Sequence, residues 1–474
     1  MTNFYSCIRT AALTAVTILA LSCSKDFSDP VINDNGYPEG YLVETTEEAC
    51  YASIDELVRY IAESNLNDSF GISDLILKMY YSGEIASLAA RNYIDVGINP
   101  DGSWKLQFER YNIKYRSTDA EGKPIVLSAA VIMPNNVPGS SRAYELDNIT
   151  LYCDIYHDLN SDCPTIKGSP AMLRVLFNSM VVIPDFQGFG ASYGERHPYL
   201  ESDVLARQAI DSELAAFELA RKLGISTCES YGTYNMGVSK GGLAALAVHK
   251  MLETSEPENV RDLIRLKSTF CSSSPCDVNA LLESCISERS LANPWILAMA
   301  MNSVYYSHKD LFAGYRLSDL MSDEFNGYHI MIGSTEYSLM SLMESAKVYN
   351  SELTRIYRKQ NLNGAKQILA SRLLNGSSWN EEDELAKTVI DIYRQDDPSR
   401  GWNPQVPLTI EHSRNDDLIP INSAFSAYER LKYYDFGASD NNVTFKEMVL
   451  LDHKGSTADG IIKTLTYKNP AERK

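Results

Sequence analysis

At 474 residues, 44% hydrophobic and 22% charged, the chain has the composition of a soluble globular protein and the length for one large domain with insertions, or two or three smaller ones. A net charge of -19 and a pI near 4.9 weigh against a nucleic-acid backbone as partner, because such binding needs clustered Lys and Arg to displace counterions. The cysteine spacings are not those of a zinc site and no H-e-x-x-H pattern is present, so neither a metal nor another cofactor is expected.

The first residues depart from this picture. Arg9 precedes an apolar run from Ala11 to Leu21, followed by Ser22 and Cys23. The run is too short to span a bilayer as a helix and reads as an export signal. Its ending, "LALSC", resembles the lipobox of bacterial lipoproteins, which implies lipid on Cys23 and attachment to the cell envelope. A polar stretch rich in Asp, Asn, Gly and Pro then serves as tether. Of nine cysteines, Cys7 lies in the signal and Cys23 would carry lipid, so an odd number remains. Export permits disulfides, and Cys153 with Cys163 or Cys271 with Cys276 are the pairs suggested by proximity.

From Thr45 to about Asn92 apolar residues recur at helical spacing, beginning with a Thr cap and an acidic first turn. From Leu106 the pattern becomes alternation, with two strand-like runs separated by the polar turn "STDAEGKP". Short apolar strands then alternate with helices: "NITLYC", "VVIPDFQGFGAS", the long helix "SDVLARQAIDSELAAFELARKLG", "GTYNMGVS", "KGGLAALAVHKMLE" and "LKSTFCS". Such alternation predicts a mainly parallel sheet covered by helices on both faces, an α/β fold. Between about Ile286 and Gly401 it stops, and the segment reads as several helices rich in Met and Tyr, too long for a plain loop and therefore an inserted subdomain. Strands resume at "QVPLTIEH" and "VTFKEMVLLDH", with a last helix from about Ser456.

One junction carries chemistry. Gly237, Ser239 and Gly241 form G-x-S-x-G where an apolar strand gives way to a small-residue helix. Glycines on both sides permit a strained turn that projects a serine hydroxyl at the sheet's edge, and the helix N-terminus beside it favours developing negative charge. A serine hydroxyl needs a base near neutral pH. Among seven histidines, His453 follows a strand and precedes Lys454 and Gly455, which predicts a loop at the strand's C-terminal end. For the acid that orients it, Asp416 on the polar loop after "VPLTIEH" is preferred, with Asp417 beside it and Asp277 one strand earlier as alternatives.

Here the chain resembles the α/β-hydrolase family across roughly Leu106 to Thr464. "GVSKGG" looks like its nucleophile elbow, "HSRNDDLIP" like its acid-bearing segment and "PDFQGFGAS" like its D-x-x-G-x-G-x-S loop; with "RHPYL" downstream the likeness narrows to secreted lipases and esterases. The resemblance implies a triad in the order Ser239, Asp416, His453, with the backbone N–H of Lys240 as first oxyanion donor. Where many members have His-Gly, this chain reads "DIYHDLN", so the second donor is assigned to Asp158. The expected organisation is a lipoprotein signal over residues 1–22, a tether over 23–44, an N-terminal helical segment over 45–100, hydrolase core over 101–285 and 401–474, and a helical lid over 286–400. The expected partners are a small-molecule ester or lipid substrate and a membrane reached through the lipid. A peptidase of the same fold and a non-enzymatic envelope binding lipoprotein are the rival readings.

Overall fold

A computed structural model describes residues 29–66, 70–91, 106–136, 145–157, 159–287, 295–321, 327, 329–332, 334–338, 383–433 and 442–467. The apolar runs expected to form strands assemble into one nine-stranded sheet: β1 (Leu42–Tyr51), β2 (Leu106–Thr118), β3 (Pro124–Asn136), β4 (Asn148–Cys153), β5 (Ser179–Pro184), β6 (Thr233–Val238), β7 (Leu266–Ser272), β8 (Leu408–Ser413) and β9 (Val443–Met448). Their spatial order is β9-β8-β7-β6-β4-β5-β3-β2-β1. The pairs from β5 through β9 are parallel, while β1, β2 and β3 pair antiparallel along one edge. The strand order reverses beside β4, so the C-terminal ends of β4, β6, β8 and β9 share one rim, where ligands of open α/β sheets bind.

Helices cover both faces because β5 and β6 are buried along their whole length and need cover above and below. Alongside helices α1 (Ile54–Ser64), α2 (Ile72–Tyr81) and α3 (Glu84–Arg91), a 3₁₀ segment (Pro170–Phe177) and the last helix form one layer. The opposite layer holds α4 (Ser202–Lys222), α5 (Lys240–Thr254) and α6 (Glu258–Ile264). Small residues let α4 and α5 approach the sheet closely: Ala206, Ala209, Ala215, Ala244 and Ala247 are all buried there. Next along the chain come α7 (Val278–Ser287), α8 (Trp295–Ser307), α9 (Leu317–Leu320), α10 (Glu384–Gln395), α11 (Ile421–Lys432) and α12 (His453–Thr466).

Three local expectations are corrected. The helix expected from Thr45 begins at Ile54, where the Ser53 hydroxyl accepts the Glu56 N–H as N-cap, and residues 42–51 instead pair with β2 as a polar edge strand. In the inserted segment the described residues contain α8, α9 and α10 but also a two-stranded ribbon, His329–Ile332 with Thr335–Ser338, whose sequence alternates about Gly333 and Ser334, a short-hairpin signal. Neither suggested disulfide is present. Cys153 packs into the α4–α5 layer while the Cys163 Sγ lies 3.5 Å from Thr165 Oγ1, and Cys271 and Cys276 are both free thiols.

The two ends of the inserted segment are clamped to one stretch of chain after β5. Arg196 donates to Asn302 Oδ1 at 2.8 Å, and Ser303 and Ser307 both donate to Glu201. At the other end, the Asp396 carboxylate accepts the Ser202 and Asp203 N–H groups at the start of α4, where unpaired amides favour an anion.

Candidate active site

Ser239 lies between β6 and α5 with φ 53° and ψ -127°, a left-handed conformation that costs a non-glycine residue about 1–3 kcal/mol unless its surroundings over-determine it. Here they do. The Ser239 N–H donates to Ser272 O at 2.9 Å, and the Gly242 N–H donates to Ser239 O at 3.0 Å. The flanking glycines are required by space: a Cβ at Gly237 would meet Gly241 O at 2.0 Å, and one at Gly241 would meet Cys153 O at 1.9 Å. The turn therefore presses the start of α5 against the segment leaving β4.

The structure brings Ser239, His453 and Asp416 together. Ser239 Oγ is 3.2 Å from His453 Nε2, and His453 Nδ1 is 2.8 Å from Asp416 Oδ2. Asp416 Oδ1 also accepts the Leu418 and Ile419 N–H groups at 3.0 and 2.8 Å. Burial works against the Asp416 charge, but the hydrogen bond from His453, the two nearby imidazoles and the Ile419 amide outweigh it and hold its carboxyl below the usual carboxylate range. An ionised Asp416 fixes the tautomer of His453: Nδ1 donates, and the Nε2 lone pair faces the serine hydroxyl. His453 is not on a loop, as expected, but is the first residue of α12. Asp452 caps that helix by accepting the Gly455 N–H at 2.7 Å, which starts it three residues before Ser456.

The two alternative acids have other occupations. Asp417 Oδ1 accepts the backbone N–H of His453 at 3.0 Å, so it holds the residue but not the ring. Asp277 pairs with Arg430 at 2.6 Å and accepts from Ser426 and from the Ala280 amide, away from His453. His412 was not singled out in the sequence because it lies within a strand. Its Nε2–H donates to Ile419 O at 2.8 Å and its ring sits 3.6 Å from Asp416 Oδ2, with burial pushing its pKa down. Thr457 Oγ1, one helical turn past His453, lies 3.4 Å from Nε2 and was likewise invisible without the helix start.

The Lys240 N–H, at the first position of α5, has no acceptor among the described residues. Asp158 lies outside the described residues, as does Cys23 with the rest of the signal. The described residues that follow in the chain are tied to the segment after β5. Asp185 accepts from Ser128 Oγ and Thr165 Oγ1, both at 2.6 Å, and from the Thr165 amide at 3.0 Å; burial raises its carboxyl to about 6. Asn160 Oδ1 accepts the Gly190 N–H at 2.7 Å, and a Cβ on Gly190 would meet Asp185 and Ser128 at 2.1 Å. The D-x-x-G-x-G-x-S segment thus anchors the loop after β4. Among the described residues no His, Cys, Asp and Glu cluster is grouped to ligate a metal ion, and no helix is long and apolar enough to cross a membrane.

No model of a known protein family matches the chain, and no curated protein matches it in sequence. Solved structures do. An inferred hydrolase of Legionella pneumophila, 16% identical, aligns over 92% of this chain and 99% of its own with a TM-score of 0.60. The rice cell wall degrading esterase LipA of Xanthomonas oryzae, also 16% identical, covers 90% of this chain and 96% of its own with a TM-score of 0.58. Candida antarctica lipase A, 13% identical, covers 73% of each chain with a TM-score of 0.51. With its strand order, its parallel core and these neighbours, the chain has the α/β-hydrolase fold.

Proposed function

We propose that the protein is an exported, lipid-anchored serine hydrolase that cleaves carboxylic esters. The observation that carries the reading is the line of contacts from Ser239 Oγ to His453 Nε2 at 3.2 Å and from His453 Nδ1 to Asp416 at 2.8 Å, set at a strained strand-to-helix turn. His453 takes the Ser239 proton as Oγ attacks the ester carbonyl, and Asp416 holds the ring and stabilises the imidazolium. The oxyanion is met by the Lys240 N–H and by the backbone N–H of Asp158. Collapse expels the alcohol, protonated by His453, and leaves an acyl-Ser239 ester. Water, deprotonated by the same ring, then releases the acid and restores the serine.

An ester substrate is supported at the level of fold by the esterase and lipase among the structural neighbours. Anchoring rests on the sequence: the apolar run to Leu21 followed by Ser22 and Cys23. For the hydrolase reading, the full chain is treated with a fluorophosphonate probe and assayed on acyl esters and peptidyl anilides. Labelling that vanishes in Ser239→Ala, with esters cleaved faster, is expected; labelling that persists in Ser239→Ala removes Ser239 as nucleophile, and faster anilide cleavage makes the enzyme a peptidase. Growth with a radiolabelled fatty acid tests the anchor, and incorporation unchanged in Cys23→Ser would reject it.

A further inference from the structure

Besides its backbone N–H, Lys240 brings a charge. The side chain is 3% exposed, and Nζ lies 4.2 Å from the centroid of the Phe186 ring. Among the described residues it donates to no hydrogen-bond acceptor and lies within ion-pair distance of no carboxylate. Taking an ammonium out of water without a close partner costs on the order of several kcal/mol, and an apolar side chain of similar length would avoid that cost.

The groups facing Lys240 do not neutralise it. Asp154, just past β4, attracts the ammonium only from beyond pairing distance, and the buried Cys153 thiol, pushed up to about 12, stays protonated. Two imidazoles also feel its charge. His197 Nδ1 donates to Gln187 O at 2.7 Å, so its Nε2 is an acceptor; that atom and His157 Nε2, which lies 3.9 Å from Asp154 Oδ2, are buried without hydrogen-bond partners among the described residues. Burial and the Lys240 charge together keep both rings neutral, His157 with a pKa of about 3. Lys167 adds a second positive influence on Asp154 and His157. Phe186, which supports the ammonium, is itself held at φ 65°. A buried cation is thus held beside Phe186 near the elbow and the segment leaving β4, with Asp154 beyond pairing distance and no closer carboxylate among the described residues. A charge in such a dry place is little screened.

We propose that the Lys240 ammonium is a positioning residue of ester cleavage, a fixed positive charge behind the oxyanion hole that stabilises the tetrahedral intermediate without touching substrate. The proposal rests on Ser239 being the nucleophile. Burial, opposed only in part by Cys153 and Asp154, lowers the Lys240 pKa to about 8. The charge is therefore complete below that pH and lost above it, and kcat should fall as the pH rises through about 8.

The test compares the full chain with Lys240→Met and Lys240→Arg for kcat, KM, pH profile and thermal midpoint. Lys240→Met is expected to lose about ten- to a hundred-fold in kcat, less than removal of a direct oxyanion donor, with KM nearly unchanged, no alkaline limb and an equal or higher thermal midpoint. Lys240→Arg, charged at every pH used, should recover part of kcat and also lack the limb. An unchanged kcat in Lys240→Met, or a lowered kcat that keeps the alkaline limb, overturns the proposal. Should Lys240→Met not fold, an alkaline limb persisting in Lys240→Arg does the same. Failure of the wild type itself to react with the fluorophosphonate probe would instead refute the Ser239 reading.

Discussion

Asp416 and Asp277 follow neighbouring parallel strands, β8 and β7, at the same rim of one sheet, and both are buried. One faces an imidazole that can gain and lose a proton beside a serine; the other faces a guanidinium that cannot. Asp277 shares Arg430 with Asp397, and Ser399 and Ser426 complete a closed network that ties α11 to α7 and to the chain leaving α10. Equivalent positions in a fold therefore do not carry equivalent chemistry. What a carboxylate does is set by whether its partner titrates in the working range and by what that partner touches next.

The comparison can be broken most directly at Asp416. Asp416→Asn should lower kcat by about 10⁴-fold, because the amide can donate to His453 and stabilise the wrong tautomer, while the fold is retained; a loss under about ten-fold in steady-state assays would dissolve the distinction between the two aspartates. Asp277→Asn should show the reverse. Leaving Arg430 and Asp397 imperfectly paired costs on the order of 3 kcal/mol, read from urea unfolding, with kcat changed less than about two-fold. Asp417→Asn weakens the contact that holds the His453 backbone, and a fall in kcat of roughly ten-fold with little change in KM is expected, since one charged hydrogen bond is worth about 1.5–3 kcal/mol when lost and part of that is recovered by the amide. The smallest effect concerns pH. The folded Asp416 carboxyl lies below its unfolded value of about 3.9, so its contribution to stability is present above that pH and lost as the pH falls through the lower folded value. Asp416→Asn should flatten that acid limb, whereas an identical limb in equilibrium unfolding would mean that Asp416 is not held ionised.

Much of this site was legible in the chain because its signals are local. The strand, G-x-S-x-G turn and small-residue helix around Ser239 span about ten residues, and the polar loop bearing Asp416 follows its strand at once. What could not be read depends on partners far along the chain. Residues 42–51 carry a Thr cap and acidic residues that suit a helix start, but they lie opposite β2, with partners such as Tyr115 for Leu42 and Phe108 for Tyr51 far along the chain, and the edge pairing prevails over local preference. Asp452 as a cap, and with it the place of His453 on α12, is one short side chain that a periodicity reading passes over. The contact between Asp417 and the His453 amide joins residues 36 apart, and nothing in either stretch announces it. Lys240 is legible only as a charge opening an apolar helix; that it is buried with no carboxylate in pairing distance among the described residues is a property of the packing alone.

The clamp on the inserted segment has a consequence for how such a protein can change. Asn302, Ser303 and Ser307 on one arm and Asp396 on the other are fixed to residues 196–203, so the mouth of the excursion is closed before its interior begins. Closing a longer excursion costs only about 0.6 kcal/mol per doubling of its length. Changes of length between those two arms are therefore cheap and leave the places of Ser239, His453 and Asp416 untouched.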